Sequence, residues 1–145
     1  MSAFSGPFEW QVGLVWQVGF IAGNTLPEKG ILHSCKALVD TGASRTCIAK
    51  SVADELGLQA TGKIDMQTAG GIIPTNIYDV HIVFIFPGKT DSKEMIQQGR
   101  GHIVSSTRAP EFDPGDNPYQ ALLGRDILRL GVLNMSHDGH FSFSY

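Results

Sequence analysis

The sequence predicts an all-β protein, a small closed barrel of short strands with a hairpin and brief helices. Two observations carry this. The first is composition: 17 glycines stand among short apolar stretches rich in Val, Ile and Phe, a mixture that favours strands over helices. The second is periodicity. Trp10, Val12, Leu14, Trp16, Val18 and Phe20 alternate with Gln11, Gly13, Val15, Gln17 and Gly19, a period of two that belongs to a strand or a bulged strand pair.

The elements follow in order. Asn24 to Gly30, with Pro27 and a closing glycine, is a turn. Ile31 to Val39 is a strand that ends at Asp40-Thr41-Gly42, and Thr46 to Ile48 resumes it. Lys50 to Leu56 reads as a short helix, with Gly57 placed for a left-handed C-cap. Lys63 to Thr68 and Ile72 to Tyr78 flank Ala69-Gly70-Gly71, a hairpin with a glycine tip. Val80 to Phe86 is the most apolar strand, and Pro87 to Arg100 is a polar surface loop or ragged hairpin. Gly101 to Thr107 is a further strand, before a Pro- and acid-rich stretch from Ala109 to Pro118. Ala121 to Leu123 is a buried strand, and Arg125 to Leu130 a short helix closed by Gly131. Val132 to Met135, a turn at His137-Asp138-Gly139 and an alternating strand through Phe141, Phe143 and Tyr145 complete the chain. No linker divides it, so residues 1–145 are expected to form a single domain.

Bulk properties narrow the function. Net charge is −3 with no basic block, which argues against nucleic acid as a main partner, because phosphate binding needs concentrated Lys and Arg. No apolar run approaches the roughly 20 residues of a membrane span. Met1 to Trp10 lacks the basic and apolar regions of a signal peptide. Cys35 and Cys47 both sit in apolar stretches and are expected as free thiols. A cytoplasmic setting is the expectation.

The chemistry-bearing segment is Ala37-Leu38-Val39-Asp40-Thr41-Gly42-Ala43-Ser44. Three apolar residues drive the strand inward, and then a carboxylate appears where water is scarce. A buried lone aspartate is costly unless it shifts its pKa or finds a partner. Thr41 can supply a hydroxyl to hold the loop, and Gly42 permits close approach and backbone angles closed to other residues. Asp-Thr-Gly alone is also an ordinary turn. The second segment, Ala121-Leu122-Leu123-Gly124-Arg125-Asp126-Ile127-Leu128, is another apolar strand stopped by glycine at a charged helix start.

In these motifs the chain resembles the retropepsins, the retroviral proteases and their cellular and bacterial relatives. An apolar pair, Asp-Thr-Gly-Ala, a glycine-tipped flap and Leu-Leu-Gly-Arg-Asp occur here in order, at Val39 to Ala43, Ala69 to Gly71 and Leu122 to Asp126. The resemblance implies a retropepsin-like acid-protease barrel and an aspartic endopeptidase with no cofactor or metal. It also implies Asp40 as the catalytic residue, with Thr41 and Gly42 completing the active-site loop. Ala43, Ser44, Ala69, Gly70 and Gly71 would contact the peptide or protein substrate. One Asp-Thr-Gly supplies one catalytic carboxylate, and Asp126 at a helix start suits a cap or dipole partner better than a dyad. The second carboxylate would then come from another Asp40 in a homodimer. Gly124, Arg125 and Asp126 would brace that assembly, and Phe141, Phe143 and Tyr145 would form a face interleaved with the partner's tail. In many relatives an aspartate stands where Ser44 stands and pairs with the arginine of Gly-Arg, so Arg125 must find a different acceptor.

Other features read blandly. His137 and His140 around Asp138 suit a turn between strands better than a metal site. His81 reads as a satisfied core or surface-facing histidine, and the Trp10 and Trp16 face as core. The rival to the enzyme is a retropepsin-fold dimer without activity, a binding or structural module in which Asp40 caps a turn.

Overall fold

The strand β2 (Val15–Ala22) has antiparallel partners on both edges, β3 (His33–Val39) and β6 (Gly71–Ile85). That double pairing closes a barrel of six strands. From β2 the order runs through β3, β8 (Ala121–Leu123), β4 (Cys47–Ala49) and β7 (Gly101–Phe112) to β6. A further strand, β5 (Gly62–Thr68), pairs only with the first half of β6 and projects from the ring as a hairpin. A separate sheet is ordered β1 (Ala3–Pro7), β10 (His140–Ser144), β9 (Val132–Met135). The helices among the described residues are α1 (Lys50–Glu55) and α2 (Arg125–Leu128). This computed structural model describes residues 3–85 and 101–145. Phe86 and the stretch from Pro87 to Arg100 lie outside the described residues.

Alternation explains the barrel wall. In β3, Cys35 and Ala37 are buried while Lys36 between them is exposed. In β2, Trp16, Val18 and Phe20 join the main core with Val80, Ile82 and Phe84 of β6. Ile21 faces the other way, into a small cluster with Val83 and Ile85. The helix α1 buries Val52 and Ala53. It ends at Gly57, whose φ of 63° and N–H to the Asp54 carbonyl (3.0 Å) form the left-handed cap read from the sequence.

The structure differs from the sequence reading in four places. The strand expected over Trp10 to Phe20 begins only at Val15, because Val12 and Gly13 both donate to the Glu9 carbonyl and Gly13 turns through a φ of 98°. Trp10 is consequently 56% exposed, with its indole N–H on the His137 carbonyl (3.1 Å), and only Trp16 is core. Second, residues 72–85 belong to one strand of 15 residues, β6, whose irregularity sits between Ile82 and Val83 rather than at Asp79. Third, β7 continues past Thr107 into the Pro- and acid-rich stretch as far as Phe112, where it also meets β4 in parallel at Glu111 and Phe112.

The fourth difference concerns the tail. β10 is hydrogen-bonded on both edges within its own chain, to β1 and to β9. Phe141 and Phe143 are buried, and Phe143 packs with Phe4, Trp16 and Phe84 at centroid distances of 5.6–5.9 Å. Tyr145 lies 5.2 Å from Phe84. The aromatic face expected to meet a partner's tail is therefore filled from inside. The reason is β1, a strand that the polar Ser5-Gly6-Pro7 composition concealed.

Candidate active site

Asp40 follows directly on β3, and the loop it opens is set by β8 alongside. Leu123 of β8 accepts the Asp40 N–H (3.0 Å), and Ala43 N–H returns to the Asp40 carbonyl (3.2 Å) in a tight turn. The Asp40 side chain is half-buried, and its Oδ1 accepts the Gly42 N–H at 2.9 Å. No other protein donor reaches this carboxylate among the described residues. Gly42 has no positive φ, so its expected freedom of backbone angle is not used. A Cβ there would stand 3.2 Å from Asp40 Oδ1, and its absence leaves the carboxylate room beside the N–H.

The segment Gly124-Arg125-Asp126 locks this loop from behind. Arg125 N–H donates to the Ala43 carbonyl (2.9 Å), and its guanidinium donates to the Thr41 carbonyl (2.8 Å). With serine at position 44, a backbone oxygen of the Asp40-Thr41-Gly42 tripeptide thus serves as the acceptor. Gly124 is needed for proximity: a Cβ would lie 2.5 Å from the Arg45 carbonyl carbon. Asp126 is fully engaged. Its Oδ1 accepts Thr46 N–H (3.0 Å), Thr46 hydroxyl (2.8 Å) and Ile127 N–H (2.9 Å), and its Oδ2 accepts the Thr107 hydroxyl (3.1 Å).

Thr46 is the residue that sequence reasoning missed. It is wholly buried, and its hydroxyl donates to Asp126 while accepting the Gly124 N–H (3.1 Å). A polar residue just before the apolar Cys47-Ile48-Ala49 was the available signal. The Thr41 hydroxyl, expected to hold the loop, makes no bond within the chain among the described residues. Cys47 nearby is no rival nucleophile. Burial, then the Asp126 and Asp40 charges, push its thiol to about 11, far from the thiolate that reaction requires.

The hairpin tip is a two-residue loop, Ala69-Gly70, between paired Thr68 and Gly71. Gly71 takes a φ of 117°, and the Thr68 hydroxyl donates to its carbonyl (2.7 Å). No hydrogen bond joins the tip to the Asp40 loop among the described residues. Ser44 and Thr41 are exposed and Ala43 half-buried, on the loop's open side. No helix among the described residues is long and apolar enough to cross a membrane.

Residues 29–95 match the aspartyl protease family profile, a segment holding Asp40-Thr41-Gly42 and the hairpin. In structure the chain is similar to a retropepsin-like aspartic protease from Rickettsia conorii, with a TM-score of 0.56 at 16% identity over 99% of this chain and 91% of that one. The simian foamy virus (mac) protease matches with a TM-score of 0.42 at 16% identity, over 79% and 92%, too distant to add to the argument. No curated protein matches the chain in sequence. The retropepsin-like resemblance read from the motifs is borne out in the fold, and the aspartyl protease match covers the segment that carries Asp40.

Proposed function

We propose that the chain is an aspartic endopeptidase that works as a homodimer, with the two Asp40 carboxylates facing each other across a two-fold axis. One observation carries this. Among the described residues, of the two aspartates in the retropepsin-like motifs, Asp126 has four donors and Asp40 has one. Asp40 therefore has acceptor capacity for a water or a partner carboxylate, and one chain supplies one such group.

Two adjacent carboxylates cannot both ionise, so the pair shares a proton. The ionised Asp40 takes a proton from water, which attacks the peptide carbonyl while the protonated one donates to the carbonyl oxygen; the tetrahedral intermediate then collapses, the C–N bond breaking as the amine nitrogen takes the proton held by the first Asp40. Thr41 hydroxyls, unused among the described residues, would bond across the axis. Gly42, Ala43 and Ser44 would line the peptide backbone, and the Ala69-Gly70-Gly71 tip would close over it.

The test is titration with an inhibitor that mimics the tetrahedral intermediate, since such analogues bind far more tightly than substrates. One inhibitor per two chains, together with peptide cleavage on a bell-shaped pH profile, is expected. A dimer that neither cleaves any peptide of a diverse library nor binds the analogue would make this a binding module instead.

A further inference from the structure

Beside the Asp40 loop lies a second feature that the mechanism does not use. A cavity of about 340 Å³ opens between that loop, β7 and α2, and four arginines stand in its wall: Arg45, Arg108, Arg125 and Arg129. They are four of the chain's 11 Lys and Arg residues. Asp126 is the single acid in the wall, so the lining carries 4 − 1 = +3, against −3 for the whole chain. Arg125 and Arg129 are also spaced i, i+4, the arrangement in which like charges repel on a helix.

Carboxylates of the described residues neutralise little of this cluster. The Asp126 carboxylate takes its donors from Thr46, Thr107 and Ile127. Arg108 has a loose pair with Asp79 at 3.5 Å, at an exposed position. Arg45, Arg125 and Arg129 have no carboxylate within ion-pair distance among the described residues. Arg125 donates one N–H to Thr41, which leaves other guanidinium donors available. Guanidinium groups bind carboxylate and phosphate through paired N–H donors, so this wall is suited to an anion from outside.

Position selects the source. Arg45 lies five residues after Asp40, hence at most about 18 Å along the chain. An extended peptide advances roughly 3.3 Å per residue. We propose that this arginine-walled cavity selects peptide substrates carrying an Asp or Glu within about five residues of the cleaved bond. The substrate role rests on the peptidase reading; the anion site itself does not.

The experiment compares peptides that differ only by Glu or Gln at each position around the cleaved bond. At one position the Glu peptide is expected to have a KM about tenfold lower, corresponding to about 1.4 kcal/mol. Arg129 is exposed and makes no side-chain hydrogen bond among the described residues, so Arg129→Gln should keep the thermal midpoint. That variant should lose the Glu preference with Gln peptides cleaved as before, and Arg129→Lys should restore part of it. Inorganic phosphate should compete with the Glu peptide and not with the Gln peptide. Equal KM for both peptides at every position overturns the proposal, whether or not phosphate binds. If no peptide is cleaved, the peptidase reading fails, and fluorescence anisotropy of the same labelled peptides decides separately. Tighter binding of Glu peptides that Arg129→Gln abolishes supports the anion site, and equal binding overturns it.

Discussion

The Asp40 loop and the β5–β6 hairpin both depend on glycine, yet they are held in opposite ways. Around the loop, Gly42 and Gly124 serve proximity. Neither has a positive φ, and a Cβ on Gly124 would enter the backbone of Arg45. At the hairpin, Gly71 serves conformation, with a φ of 117° and nothing within 4 Å of an added Cβ. The loop is tied by hydrogen bonds to residues 80 and 84 positions away. The hairpin tip is tied to itself, and Ile72 and Ile73 beside it are 66% and 50% exposed. A reacting carboxylate must hold its geometry, whereas a strand pair with little buried surface opens at small cost. The contrast places rigidity where the proposed chemistry would need it.

The largest expected effect is at the loop's centre. Asp40→Asn should lower peptidase turnover by about 10²-fold or more, the scale of lost acid–base catalysis, with the urea midpoint unchanged. Cleavage above a few per cent of wild type would place the reacting carboxylate elsewhere. Next, Asp126→Ala strands the buried Thr46 donors and should cost about 2–4 kcal/mol in urea unfolding. A smaller loss, under about 1 kcal/mol, would mean that the loop is not braced through this carboxylate.

The thiols give a prediction in pH. Burial pushes Cys35 to about 12 and Cys47 to about 11, from the ordinary 9.0. The folded state thus favours the protonated thiols, and their contribution to stability is complete below pH 9.0. It is lost as pH rises from 9.0 through 11 and 12, where the unfolded chain binds fewer protons. Unfolding free energy should fall over that window, and less steeply in Cys47→Ala than in wild type at matched conditions. An equal slope would show that Cys47 titrates as freely as in the unfolded chain.

Smallest in stability is Gly70→Val at the hairpin tip. A Cβ at Gly70 would meet only the Thr68 hydroxyl, at 3.9 Å, so the cost should stay within about 0.5 kcal/mol. Turnover should nevertheless drop if the tip closes over the peptide. Unchanged kcat and KM would remove the hairpin from the proposed mechanism and leave it as a structural projection.

What could be read in advance follows from how local each determinant is. Ala121 to Leu123, the Gly57 cap and the Ala69-Gly70-Gly71 hairpin were legible because their residues decide their own conformation. β1 was not, since Ser5, Gly6 and Pro7 are turn formers, and pairing with β10 imposes the extended state. Pro110 likewise set the Pro- and acid-rich stretch apart from the strand before it, yet its backbone sits opposite Ile77 in β7. The same division holds at the site. Asp40 and Arg125 declared themselves by motif, while Thr46 looked like any strand-forming threonine until Asp126 was brought to it. The arginine cavity has no spacing rule at all, because its members come from a loop, a strand and a helix.

The insertion of β8 between β3 and β4 also sets the order in which the molecule can be completed. Asp40 cannot acquire its N–H acceptor until Leu123 has left the ribosome and docked. Closing so long a loop is entropically slow, and contacts of this separation form late in folding. The barrel's first strands and the hairpin can meet earlier, since their partners are closer in sequence. The centre that would cut peptide bonds is thus the part of the fold assembled last, and a nascent chain emerges without a finished blade.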